Sequence, residues 1–317
     1  MIEFGDRYRR AVDLGTRIST SQGDFLLFAI TPPRQSTPAE RLPEIAQATI
    51  NRLTHLDLDG LVLYDIDDES SRNPVERPFP FTPTVDPAEY RADHLQPWQT
   101  PVIVYRAVGK YQREDLRRWI AEQDPLDTLT VMVGPASSDA TPAVSLADAQ
   151  TMRADLNPEL LLGGVAIPER HRRRENEHLR LIAKQEAGCR FFVTQVVYDL
   201  HAAKNLVSDY RYECQARGLG PVPIVFTFSV CGSMKTLEFL RWLGIDVPRW
   251  IENDLRHSTN PLAASSEQAA TTAVELFEYC RRLGVPFGLN VESVSIRREE
   301  IDASVELAAQ LAAHLRL

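Results

Sequence analysis

Eight short runs of β-branched and large apolar residues recur along this chain, at 25–30, 60–64, 101–105, 129–133, 160–166, 191–197, 222–228 and 287–291. Buried parallel strands read this way because helices cover them, so their residues do not alternate between apolar and polar. Most of the intervals carry a helical pattern. Leu42, Ile45, Ala46, Thr49 and Leu53 share one helical face, as do Leu116, Trp119 and Ile120, and later Ala270, Val274 and Phe277. Strand–helix alternation repeated eight times predicts an α/β fold of the (β/α)8 (TIM) barrel class with extra helices, because eight parallel strands close on themselves and leave no edge. An open doubly wound sheet is the other arrangement such a pattern allows, but no G-x-G-x-x-G turn follows an early strand to support its dinucleotide-binding form. A single barrel accommodates 317 residues, and no Pro/Gly-rich linker interrupts them.

The charge balance narrows the partners. A net charge of -9 argues against nucleic acid, whose phosphates are met by clustered excess Lys and Arg, and favours a small molecule. Cys189, Cys214, Cys231 and Cys280 form no C-x-x-C pair, so they read as reduced thiols rather than as zinc or redox ligands. Residues 1–7 lack the basic start and apolar run of a signal peptide, and no segment reaches membrane-spanning length; a cytoplasmic location with no membrane partner is the expectation. The oligomeric state is not encoded in any feature we recognise.

In a barrel of this kind the chemistry gathers where strands end. That rule selects 31–34 after the first strand, 65–69 after the second, 134–139 after the fourth, 168–171 after the fifth, 195–199 at the sixth, Ser229 after the seventh and Glu292–Ser293 after the eighth. Several of these segments carry a resemblance. Phe28-Ala29-Ile30-Thr31-Pro32-Pro33-Arg34 is an apolar strand ending in Pro-Pro-Arg, and Ile167-Pro168-Glu169-Arg170-His171 holds a Pro-Glu-x-His element. Ala187-Gly188-Cys189 leads into Thr194-Gln195-Val196-Val197-Tyr198-Asp199, and Pro248-Arg249-Trp250 follows the seventh helix. In order and spacing, from about Phe25 to Arg297, these elements resemble the methylenetetrahydrofolate reductases.

The resemblance implies an oxidoreductase of one-carbon metabolism that reduces a methylene-tetrahydrofolate, or a related methylene-tetrahydropterin, to the methyl form with NAD(P)H. It implies that Gln195 holds the pterin edge through an amide that both donates and accepts; a glutamine satisfying backbone groups at a strand end is the plainer reading. Met234, Tyr64 and Arg297 complete the implied substrate set. On the cofactor side the resemblance implies His171, Glu177, Lys184 and Tyr105. The basic run from Arg170 to Arg174 is either a solvated helix start or a holder of a dinucleotide phosphate or folate glutamate tail.

The departures are as informative. The family carries a glutamate proton donor three positions before the first proline, where this chain has Ala29, and its flavin enzymes carry an Arg-Gly-Asp after the fourth strand, where this chain reads Val133-Gly134-Pro135. Ile167 stands where an aromatic is usual, and Met234 stands where another is usual. Loss of these positions disfavours FAD and is similar to the flavin-independent branch of the family found in mycobacteria, although that branch keeps the glutamate. The acid therefore needs a substitute among Asp65, Asp67, Asp68, Glu69, Glu169 and Glu292. Glu292 leads, because the eighth strand neighbours the first; a loop anchor accepting backbone N–H groups is its other reading. The 65–69 run reads more readily as a solvated loop, since neighbouring like charges repel. Residues 72–87, with five prolines, read as a semi-rigid lid. Two further classes stay open: a folate-binding barrel that has lost reduction and transfers or only binds the one-carbon folate, and an unrelated barrel aldolase or hydrolase, for which no lysine or metal-ligand set stands at the strand ends.

Overall fold

A computed structural model describes residues 14–68, 70, 73, 75–134 and 142–316. Eight parallel strands form a closed barrel in the order β1 (Phe25–Ile30), β2 (Gly60–Leu63), β3 (Val102–Ala107), β4 (Thr128–Val133), β5 (Leu162–Ala166), β6 (Cys189–Val196), β7 (Ile224–Ser229) and β8 (Phe287–Glu292). The (β/α)8 barrel expected from the apolar runs is the observed fold, with helices such as Leu42–Leu53, Arg113–Glu122, Leu200–Arg217, Pro261–Leu283 and Arg298–Leu315 between and after the strands. No described helix is long and apolar enough to cross a membrane.

Contacts within the chain group the described residues into two compact units, one of residues 14–16 with those of Ala29–Gly163, the other of Arg17–Phe28 with those of Gly164–Leu317. In the first, β3 and β4 pair from Val102↔Thr128 to Ala107↔Val133. The 72–87 segment is tied down in its described part: Gln35 N–H donates to the Pro83 carbonyl at 2.8 Å and Val85 N–H to the Pro33 carbonyl at 2.9 Å, framing an Arg34↔Thr84 bridge. Arg72 and Pro74 of the expected lid, Glu69 of the acidic run, and Pro135 lie outside the described residues.

In the second unit β7 and β8 pair in register from Ile224↔Phe287 to Ser229↔Glu292. Asp24 N–H donates to the Phe287 carbonyl at 2.8 Å, bringing the start of β1 against β8. The join is tight: a Cβ added at Gly288 would meet the Phe25 ring at 2.2 Å, so the aromatic occupies the space that glycine leaves. All four cysteines are free and buried.

Candidate functional site

In the first unit, a polar cluster forms where β2 and β3 end. Asp65 follows β2, and its side chain is fully enclosed. One carboxylate oxygen accepts from the Ala107 N–H and the Tyr111 hydroxyl, each at 2.7 Å; the other accepts from the Lys110 ammonium at 2.5 Å. The solvated reading of this position is therefore corrected. A carboxylate cannot be enclosed without donors, and β3 with the turn after it supplies three. Asp67 and Asp68 do behave as loop residues; hydrogen bonds from Ser70 hold the Asp68 carboxyl below its usual range.

Asp86, absent from the sequence candidates, completes this cluster. It caps the helix Pro87–His94 by accepting from the N–H groups of Ala88 and Glu89, and it takes the buried Arg106 guanidinium at 2.9 Å. The Arg106 cation lies over the rings of Tyr111 and Trp119, with centroids at 3.9 and 4.6 Å. Burial alone would raise the Asp86 pKa, but Arg106 with the Tyr111 and Glu89 donors brings it below the ordinary value. Tyr111 has one proton to give to oxygens of both Asp65 and Asp86, at 2.7 and 2.8 Å. Burial drives the ionisation of Tyr111 far upward, and both carboxylates add to this against Arg106. The rings of Tyr64 and Tyr105, expected to serve substrate and cofactor respectively, meet edge to face at 4.9 Å.

In the second unit, Pro168 opens the helix Pro168–Arg174 directly after β5, its fixed φ suiting the first helical turn. Glu169, the next residue, is 1% exposed, and its Oε2 has no hydrogen-bond partner. Burial pushes its pKa up to about 7; its own backbone N–H and Arg173 oppose the rise, while Asp246 and Asp199 add to it. A carboxyl in this state holds its proton near neutral pH and has an oxygen free to donate it.

Of the four residues expected on the cofactor side, His171, Glu177 and Lys184 are used internally. His171 is 2% exposed and its Nε2 lies 3.0 Å from Asp209, so the solvated reading of this helix start does not extend to it. Glu177 accepts from the Ile167 N–H at 3.1 Å and from Arg170 at 2.9 Å. Lys184 donates to the Val165 carbonyl, and burial holds its ammonium below the usual lysine range against the upward pull of Glu177. Each ties a helix to the end of β5 or to its neighbour. His171, His178 and Asp209 are also the one set among the described residues whose metal-ligand atoms lie within 4.8 Å of one another.

Of the substrate candidates, Gln195 lies on β6, half-buried, with its Nε2 3.5 Å from the Leu243 carbonyl, at the limit of a hydrogen bond. Met234 begins the helix Met234–Trp242 and packs on the apolar cluster containing Val196 and Tyr198. Glu292 ends β8, half-buried, and its carbonyl accepts from the Ser304 hydroxyl at 3.3 Å. Arg297, 57% exposed, reaches to within 3.8 Å of Glu300, which is itself buried and accepts from Thr236.

The closed parallel barrel and the enclosed acids beside its strand ends define a (β/α)8 barrel protein with protonatable groups next to polar donors. Comparison then gives its kin. The chain is 42% identical to an uncharacterized protein from Clostridium thermocellum that binds two copies of 5-methyl-5,6,7,8-tetrahydrofolic acid, over 95% of this chain and 99% of that one, with a TM-score of 0.83. It belongs to the same family as that protein. Weaker likenesses, which bear on nothing further, are to 2,3-dimethylmalate lyase (12% identity, 94% of each chain, TM-score 0.43) and to a psychrophilic family 10 endo-β-1,4-xylanase (10% identity, 94% of this chain and 99% of that one, TM-score 0.48). No protein-family model and no curated protein matches the chain.

Proposed function

We propose that this protein binds a reduced folate and reduces a methylene-tetrahydrofolate to the methyl form with NAD(P)H. The observation that carries the folate reading is the 42% identical relative that binds 5-methyl-5,6,7,8-tetrahydrofolic acid. The methyl folate is the compound this reduction would yield, and the Thr194-Gln195 and Pro168-Glu169 elements that resemble the reductases lie at the ends of β6 and β5.

In the reaction, the methylene bridge between N5 and N10 opens as N10 takes a proton, leaving an N5 iminium whose carbon accepts hydride from the nicotinamide. Glu169 is the proton donor in this reading, because it retains its proton to about pH 7 and its Oε2 is unengaged. Asp65 is poorly suited, since both of its carboxyl oxygens are already occupied by internal donors. Glu292 remains the alternative donor. Gln195 orients the pterin. The internal use of His171, Glu177 and Lys184 favours direct hydride transfer without flavin.

Ala29 supports a second reading, a folate-binding barrel without reductase chemistry. Incubation of the purified protein with methylene-tetrahydrofolate and 4-deuterated NADH or NADPH, with the folate identified by mass, separates the two. Deuterium in the methyl group supports reduction by direct transfer. Tight binding of 5-methyltetrahydrofolate without conversion leaves only the binding protein, and absence of folate binding removes both readings.

A further inference from the structure

Four arginines converge on one cavity of about 500 Å³ in the second unit. Arg172 and Arg173 come from the last turn of the helix Pro168–Arg174, Arg241 from the helix Met234–Trp242, and Arg249 is the first residue of the helix Arg249–His257. Among the lining residues Asp246 is the one carboxylate, and it pairs with Arg172 at 2.8 Å and Arg173 at 3.8 Å. Arg241 is held by both oxygens of Glu252, at 3.0 and 2.7 Å. Arg249 pairs with no carboxylate among the described residues. Arg172 also lies 3.5 Å from Asp199, so the surplus positive charge of the cavity wall rests on Arg249, in a protein whose net charge is -9.

Two properties make this wall a receptor for a small anion. The guanidiniums of Arg172, Arg173 and Arg241 are positioned by ion pairs, so less side-chain freedom is lost when a ligand arrives. The helix that Arg249 begins has no side-chain cap, which leaves the N–H groups of its first turn beside the same wall. Planar guanidinium forks suit carboxylates, and a cavity of this volume admits the end of a ligand rather than a polymer.

We propose that this cavity receives the carboxylates at the glutamyl end of a reduced folate, and that each added γ-linked glutamate is held by the arginines. The inference rests on the folate reading above and specifies which end of the ligand lies here. It favours poly-γ-glutamylated folates over the monoglutamate. A nicotinamide dinucleotide phosphate shares the anionic chemistry, so the test includes it.

Dissociation constants for 5-methyltetrahydrofolate as mono- and triglutamate, and for NADH and NADPH, would be measured by calorimetry on the wild type, Arg249→Gln and Arg172→Gln. Circular dichroism would confirm folding; Arg249 has no ion pair to lose among the described residues. The expected result is a triglutamate bound about tenfold more tightly than the monoglutamate by the wild type, with most of that advantage gone in both variants. Equal binding of the two folates by the wild type, or an advantage that survives both substitutions, overturns the inference while leaving the folate reading intact. A loss confined to NADPH assigns the cavity to a phosphate and also overturns it. If the wild type binds neither folate, the folate reading falls and takes this one with it.

Discussion

One terminal nitrogen of Arg106 lies 2.9 Å from each carboxylate oxygen of Asp86. The guanidinium is enclosed, so removing its partner leaves a buried charge unmatched. Asp86→Ala, which also uncaps the helix Pro87–His94, is expected to cost about 3–5 kcal/mol in urea unfolding. Asp86 has a depressed folded pKa, so its contribution is complete above the unfolded value of 3.8 and is lost as the pH falls through the folded value. Asp86→Asn should thus differ from the wild type at pH 7 and converge with it in stronger acid. A constant difference across pH would refute the assignment.

Glu169 has the opposite linkage. Its pKa rises from 4.5 to about 7 on folding, so the folded chain binds more protons and stability declines as the pH climbs between those values. The decline is on the order of 3 kcal/mol. Glu169→Gln should flatten that slope and be the more stable form at pH 8. The same substitution should abolish turnover with folate binding retained if Glu169 donates the proton; undiminished turnover would transfer the role to Glu292.

Gln195→Ala should weaken binding of 5-methyltetrahydrofolate by about 1–3 kcal/mol, because a buried pterin edge would be left unpaired. The structural bond from Gln195 is too long to account for such a loss by itself. An unchanged dissociation constant would return Gln195 to the plainer role of a strand-end glutamine.

Gly288→Ala forces a methyl group into the Phe25 ring and should destabilise the fold by about 1–3 kcal/mol. Phe25→Leu in the same chain should recover part of the loss. Thermal unfolding of the single and double variants measures the coupling, and strict additivity would show that the two positions do not compete for space.

The barrel was legible because its strands are enclosed and therefore continuously apolar: β1 is read to the residue as Phe25–Ile30. Errors occurred where burial and pairing part company. Leu160 is fully buried yet lies outside β5, since it packs without joining the ladder. Arg106 halted the reading of β3 at Tyr105, although the strand runs to Ala107 and buries that charge. The site was less legible for a physical reason. Asp65 differs from Asp67 and Asp68 in meeting Ala107, Lys110 and Tyr111, 42 to 46 residues away, and composition carries no record of such partners. Asp86 did leave a local signal, an Asp-Pro pair at a helix start. Glu169 was recognised as a candidate acid, but its enclosure and unengaged oxygen are tertiary facts.

The four buried thiols have a practical consequence. Cys189, Cys214, Cys231 and Cys280 all belong to the unit that includes Gly164–Leu317. All four thiols are buried, and burial raises the pKa of Cys214, of Cys231 to about 11, and of Cys280 further still, so an alkylating reagent finds no access to the four and no thiolate at these three while that unit is folded. Mass-resolved alkylation during exposure to denaturant would therefore count openings of this unit alone. The other, which has no cysteine, would add nothing to the signal, and a single unmodified protein would report the loosening of one part of its own chain.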